Sequence, residues 1–397
     1  MKIQVSKPVI TNNGSNTVRL SVQVTCDGNG IEPFALWYEI EDSYFNYFCT
    51  ERSDAFLIAL LPWAMMRSTN ENPASIVFDS PVSEKLLHQL KSYYIPLLSK
   101  HISYYGNVVI ETAVSNEVLP GKSCVGTGIS GGVDSSYTIA KYLGEENGSF
   151  KLTHGVCFNI GIYGGFDSPS QKNLEMRANR IAESTGIQYM KVTSNVCLEL
   201  YKKAHAPIVP FVFMSGALAL QKLFSVYYYS SAFSVDEFHM SDVDAAYFEL
   251  LTVHSISTEN TDIYSSGIEI SRLEKVKYIS EFSFTYDNLS VCLSTDQENG
   301  NCGRCAKCTR TMAELEALNK LDLYEHIFDA SAFRKDSGYH WGYVLLKSKN
   351  DAFSRDTIRE YKKSGRRLPI AAYFSCLKKW IARGFTSENR KREKVNE

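Results

Sequence analysis

Ser130-Gly131-Gly132-Val133-Asp134-Ser135 is the stretch on which the reading of this chain turns. The apolar run Cys124 to Ile129 leads into it and reads as a buried strand. Ser136 to Leu143 follows with Ile139, Ala140, Tyr142 and Leu143 on one helical face. Strand, glycine turn and helix in this order point free backbone N–H groups and the positive end of a helix dipole at one spot, which suits a phosphate. The glycines allow close backbone approach, and Ser130 and Ser135 add hydroxyl donors. Asp134 would repel a phosphate unless a cation stood between them. Mg²⁺, which prefers carboxylate and phosphate oxygens, is therefore expected.

Two overlapping patterns fail on inspection. Gly126-Thr127-Gly128-Ile129-Ser130-Gly131 has the spacing of a dinucleotide fingerprint, but the next strand, His154 to Asn159, ends in Phe158-Asn159 and offers no acid for a ribose. Gly121-Lys122-Ser123 matches the tail of a Walker A loop, yet Asn116 stands where its first glycine belongs.

The six-residue stretch resembles the SGGxDS signature of the N-type ATP pyrophosphatases, the PP-loop family. That resemblance implies ATP cleavage between the α- and β-phosphates, adenylation of a substrate oxygen and pyrophosphate release. It assigns ATP phosphates to Ser130, Gly131, Gly132, Asp134 and Ser135. Around the loop, strands at Cys124–Ile129, His154–Asn159, Gln188–Val192 and Val226–Ser231 alternate with helices at Ser136–Leu143, Gln171–Thr185 and Ser215–Leu223. Such alternation predicts an α/β fold with a parallel sheet, and ligands then sit at the carboxyl ends of the strands. Asn159, Thr193 and Ser231 are expected there, and the resemblance places adenine near Asn159.

Cys292, Cys302, Cys305 and Cys308 form C-x9-C-x2-C-x2-C. Four thiolates with no open position describe a structural Zn²⁺ site, and an iron–sulfur cluster uses the same ligand chemistry. Arg304, Lys307 and Arg310 would offset the charge of a zinc tetrathiolate. A PP-loop followed by these cysteines resembles 7-cyano-7-deazaguanine synthase over Ser123 to Leu318. That family activates a carboxylate with ATP for capture by ammonia, and longer relatives act on other substrates, including joining a deazaguanine to a protein. The resemblance carries a phosphate-neutralising cation onto Lys275, and onto Arg272, in Ser271-Arg272-Leu273-Glu274-Lys275. A cation there would offset charge building on departing pyrophosphate.

The chain of 397 residues has room for two or three domains. The expected division is an α+β unit over 1–120 of unassigned role, the PP-loop domain over 121–320, and a mainly helical region over 321–397. In the first unit, Val18, Leu20, Val22 and Val24 alternate as a half-buried strand after a turn at Asn12 to Asn16. One helix is expected after a cap at Ser53 or Asp54, running to about Met66 with Pro62 kinking it, and another from Ser83 to Leu98 with Ser83 as its cap. His254, Ser257, Thr258 and Glu259 read as candidates for the substrate side of a strand end, and Asp236, Asp242 and Asp244 as a loop that meets magnesium or, the preferred reading, faces solvent. Thr311–Leu318, Asp356–Lys363 and Ile370–Ile381 read as helices, Trp341 and Trp380 as core, and Ser387 to Glu397 as a frayed tail.

A net charge of −2 gives no broad basic surface, so tRNA is not an expected partner. No signal-peptide pattern and no run long enough to span a bilayer is visible, so a cytoplasmic protein without a membrane partner is expected. The expected partners are a small-molecule carboxylate or a protein to be modified, an ammonia or amine donor, and a second copy in a homodimer. Two rival readings stay open. One is a PP-loop tRNA sulfur-transfer enzyme, for which Cys124, Cys157 or Cys197 would be the nucleophile. The other is a non-catalytic ATP-binding component of a multi-protein system.

Overall fold

The computed structural model describes residues 1–393 apart from 13, 15, 28–29, 70, 203–205 and 293–300. Two positions of the expected turn at 12–16, and the last four of the expected tail, lie outside the described residues. Two compact units emerge: Met1–Ser130 with Thr138–Ile270, and Gly131–Tyr137 with Ser271–Glu397.

The first unit is built on strands β1 (Lys2–Val5), β2 (Val9–Asn12), β3 (Thr17–Asp27), β4 (Phe34–Glu41), β5 (Ala74–Phe78), β6 (Val82–Ser83), β7 (Val108–Glu111), β8 (Val114–Ser115), β9 (Cys124–Gly128), β10 (His154–Asn159), β11 (Gln188–Ser194), β12 (Phe224–Ser230) and β13 (Asp262–Ser266). Eleven of them form one mixed sheet in the order β13-β12-β9-β10-β11-β4-β3-β1-β5-β7, with β2 on β3, while β6 and β8 make a separate ladder. From β13 to β11 every pairing is parallel. Every residue of β10 is buried, as befits a strand covered on both faces. The helix Pro169–Thr185 is the crossover from β10 to β11. Ser168 caps it, and Gly186 ends it with φ +72°.

Residues 1–120 do not stand apart from this sheet. The free edge of β11 is covered by β4, antiparallel, with Thr193 opposite Glu39. Asn195 clamps the junction: its Oδ1 accepts from Trp37 N at 2.9 Å and its Nδ2 donates to the Ala35 carbonyl at 2.8 Å. An uncovered strand edge invites aggregation, and β4 removes that edge. A buried polar network makes a second tie. Arg52 lies 3.4 Å from Asp54 and 2.9 Å from Glu259, and donates to Gln221 at 3.0 Å.

That network corrects one expectation. Glu259 is an acceptor for Arg52 and for Lys85 N. Ser257 Oγ accepts from Ile263 N, and Thr258 Oγ1 donates to Gln221. With β13 starting at Asp262, this segment leads into the amino end of a parallel strand, whereas ligands gather at the carboxyl end. His254 ends the short helix Glu249–His254 and is exposed. Asp244 caps a turn through Ala246 N, and Asp242 accepts from Ser103 N.

The second unit is mainly helical. Arg272–Ile279, Ala306–Ala317, Ala330–Lys335, Ser337–Lys347, Ala352–Lys363 and Ile370–Glu393 are its α-helices beyond the short segment shared with Val133–Leu143. Trp341 is core, at 1% exposure, but Trp380 is 57% exposed. Among the described residues, no helix is long and apolar enough to cross a membrane.

Candidate active site

In the first unit, β9 has β10 on one side and β12 on the other. The crossover direction changes at β9, and such a switch point opens a crevice at the carboxyl ends of the strands. Ser130, exposed, lies two residues beyond the end of β9, Asn159 is the last residue of β10, and Ser231 follows β12. The glycine loop therefore leaves the sheet where a doubly wound fold holds its ligand.

The rest of the loop belongs to the second unit. Gly131 has φ +76°, a left-handed conformation that costs glycine little. Its carbonyl accepts from Ser290 N at 2.7 Å. The helix Val133–Leu143 starts two residues later, and Ser136 N and Ser135 Oγ both donate to the Gly132 carbonyl, at 3.0 and 3.2 Å. Asp134 thus stands in the first turn, where a carboxylate gains from the helix dipole.

Lys275 and Arg272 meet Asp134 from the helix Arg272–Ile279. Lys275 Nζ donates to Asp134 Oδ1 at 3.2 Å, and Arg272 Nη1 lies 4.0 Å from Asp134 Oδ2. The Lys275 side chain is 1% exposed and that of Asp134 27%. Ser271 caps this helix in a reciprocal box with Glu274, which fixes where Arg272 and Lys275 emerge. Two residues of the helix Ala306–Ala317 hold Arg272. Nη2 donates to Thr311 Oγ1 at 3.1 Å, and Nε lies 3.2 Å from Glu314 Oε1. Glu314 is fully buried. Burial pushes its carboxyl up, while Arg272 and Arg310 pull it back down. Partial desolvation and the cations Arg272 and Arg310 hold the Lys307 ammonium below its ordinary range, against the pull of Asp134 and Cys305. The four cations Arg272, Lys275, Lys307 and Arg310 stand against three carboxylates, Asp134, Glu314 and Asp351, which leaves the small positive excess that a polyphosphate needs.

The helix Ala306–Ala317 grows out of the cysteine cluster. The four sulfur atoms lie within 4.8 Å of one another. Cys292 Sγ is 3.7 Å from Cys305 Sγ, and Cys302 Sγ is 3.9 Å from Cys308 Sγ. A tetrahedral ion with Zn–S bonds of about 2.3 Å sets sulfurs about 3.8 Å apart, so the residues fit zinc. Gly303 takes φ +70° in the turn. Cys305 N donates to Cys302 Sγ, and Cys308 N to Cys305 Sγ, which makes Cys305 the N-cap of the helix. Burial raises the Cys302 thiol, but bonds from the Arg304 and Cys305 backbones outweigh it and bring the pKa to about 7. Asn301 ties in Cys292, accepting from Val291 N and donating to the Leu289 carbonyl.

Asp134, Arg272 and Lys275 are thus brought together as expected. Asn159 has other partners: its Nδ2 donates to the Phe166 carbonyl at 2.8 Å and to Glu175 at 3.1 Å, so its amide organises the following loop. Arg304 is paired with Asp336 on the surface, at 3.3 Å. Sequence reading missed Glu314 and Thr311 as supports of Arg272. The signal was present: positions 307, 310, 311 and 314 share one helical face. A helix begun at Thr311 hides that face, whereas the cysteine cap starts it at Ala306.

Glu314→Gln is expected to leave Arg272 and Arg310 without their shared counter-charge. Breaking one side of a buried ion pair costs about 3–5 kcal/mol. A loss of that order in denaturant unfolding, smaller in the presence of inorganic pyrophosphate, is the expected outcome.

No protein-family model matches the chain, and no curated protein matches it. One solved structure is similar: a glutamine-dependent NAD+ synthetase from Acinetobacter baumannii in complex with ADP. It is 12% identical over 93% of this chain and 84% of that one, with a TM-score of 0.25. A TM-score this low does not establish a shared fold.

Proposed function

We propose that the chain is an ATP-dependent, AMP-forming enzyme of the PP-loop kind. It adenylates a substrate carboxylate, releases pyrophosphate, and passes the adenylate to ammonia or an amine. The observation that carries this reading is Lys275 Nζ at 3.2 Å from Asp134 in the first turn of the helix behind the glycine loop. Backbone N–H groups at that turn would bind the phosphates. Asp134 would hold Mg²⁺, which supplies Lewis-acid polarisation of phosphoryl oxygens when bound. A carboxylate oxygen attacks the α-phosphorus, the bond to the bridging oxygen breaks, and Lys275 and Arg272 offset the charge that pyrophosphate gathers as it leaves. Positioning and charge neutralisation carry such a reaction, and no protein nucleophile is required.

The rival sulfur-transfer reading needs a reactive thiolate. Burial pushes Cys157 up to about 12 and Cys197 up to about 11, and it also raises Cys124. A thiol so raised stays protonated and inert near neutral pH. The resemblance to deazaguanine synthases supports a heterocyclic acid or a protein-joining reaction as the specific chemistry.

The test is product analysis of ATP turnover with a panel of carboxylic acids and an ammonium donor. AMP and pyrophosphate are expected with one acid, and Asp134→Asn should lower their formation by about 10²-fold or more. Release of ADP and phosphate by the wild type, or full turnover by Asp134→Asn, would overturn the proposal.

A further inference from the structure

Over residues 370–381 the helix Ile370–Glu393 is inside out for a surface helix. Its inward face is small: Ala372 is fully buried. A Cβ on Gly338 would come within 2.6 Å of Ala371 Cβ, and one on Gly342 within 2.6 Å of Ser375 Cβ, so the helix Ser337–Lys347 packs close against it. Lys379 also turns inward, with Nζ 3.6 Å from the Tyr339 ring centroid and donating to the Tyr339 carbonyl. The outward face carries Ile370, Tyr373, Phe374, Leu377, Trp380 and Ile381, each between 44% and 76% exposed. An ordinary surface helix turns its polar residues to water. Three aromatic and three aliphatic side chains at these exposures offer on the order of 600 Å². That lies at the top of what monomers commonly leave open and approaches the roughly 800 Å² per partner of a standard interface.

We propose that a second copy of this chain covers the stripe, the two helices lying antiparallel about a two-fold axis. Positions 370, 373, 377 and 380 step by three, four and three residues, the spacing of a seam against a facing helix. An isologous contact needs a surface that complements itself. The stripe qualifies, because no acid lies between Ile370 and Ile381, and Lys378 stands on its flank. The later sequence of the helix is net basic, with Arg383, Arg390, Lys391 and Arg392 against Glu388 and Glu393. Parallel pairing would bring two net positive segments to the same end of the pair, whereas antiparallel pairing sends them to opposite ends. A bilayer surface would accept the same apolar area and the flanking Lys378, but it needs no helical register, which the three-four-three spacing keeps.

The test is the mass of the full chain in solution, by sedimentation velocity and light scattering at micromolar to tens of micromolar concentration. The wild type is expected at twice 44.7 kDa. Leu377→Glu combined with Trp380→Glu should fall to a single chain with unchanged circular dichroism and melting, since both side chains face solvent in the monomer. A wild type that stays at 44.7 kDa, or a double variant that keeps the wild-type mass, would overturn the proposal. A monomeric wild type that pellets with phosphatidylserine vesicles but not with phosphatidylcholine vesicles would assign the stripe to an anionic lipid surface instead.

Discussion

Lys275→Met is expected to lower AMP-forming turnover by about 10²–10³-fold, the range seen when one transition-state charge stabiliser is removed, while the fold survives. Methionine keeps the length and apolar contacts of the lysine stem. The partner left behind is Asp134, whose side chain is 27% exposed and can regain hydration. The reverse change is less clean, because removing Asp134 takes a counter-charge from a Lys275 side chain only 1% exposed, and the loss of a carboxylate beside a buried cation destabilises the unit. Arg272 cannot take over from Lys275. It stands 4.0 Å from Asp134 and is held by Thr311 and Glu314, so a shift toward the phosphates would break both holds. The loss should fall mainly on kcat, since charge on pyrophosphate grows as the transition state is approached. Measured turnover within threefold of wild type, with melting unchanged, would remove Lys275 from the site.

The parts of this molecule that could be read from sequence are those whose cause is local. Strand, glycine turn and helix at 124–143 follow one another along the chain, and the reading of that stretch stands. The same is true of Ser83 as a helix cap, of Gly186 as a left-handed helix end, and of the alternation along β3. Spacing alone also exposed the cysteine cluster, because x2 linkers leave thiols little choice of neighbour. What escaped depends on partners far away in the chain. β11 looks like the end of a parallel sheet until β4, some 150 residues earlier, pairs with it, and only that pairing joins residues 1–120 to the central strands. β13, Asp262–Ser266, is short and half polar, and it is a strand because β12 lies beside it. Trp380 was assigned to the core as large aromatics usually are, but the inward side of its helix is reserved for small residues by Gly338 and Gly342.

Removal of zinc is the second large effect, and it should reach further than the four thiols. Purified protein is expected to carry about one zinc per chain. Structural zinc sites contribute about 10–16 kcal/mol of apparent binding free energy in peptides near neutral pH, far above the marginal stability of most domains. The described geometry shows what depends on the cluster within the second unit. Cys305 caps the helix that carries Thr311 and Glu314. Those residues hold Arg272. Asn301, beside Cys302, fastens residues 289–291, and Ser290 N fastens the Gly131 carbonyl. Chelation, or Cys302→Ser combined with Cys305→Ser, should therefore lower the melting temperature by about 10 °C or more. It should also expose 271–393 to protease before 1–130 and weaken nucleotide binding without touching a phosphate contact. Cys376→Ser is the control, since that thiol lies outside the cluster and is half-buried. Metal-free protein as isolated, together with wild-type melting in the Cys302/Cys305 variant, would show that the helix stands without the ion. The coupling from knuckle to arginine would then have to come from packing alone.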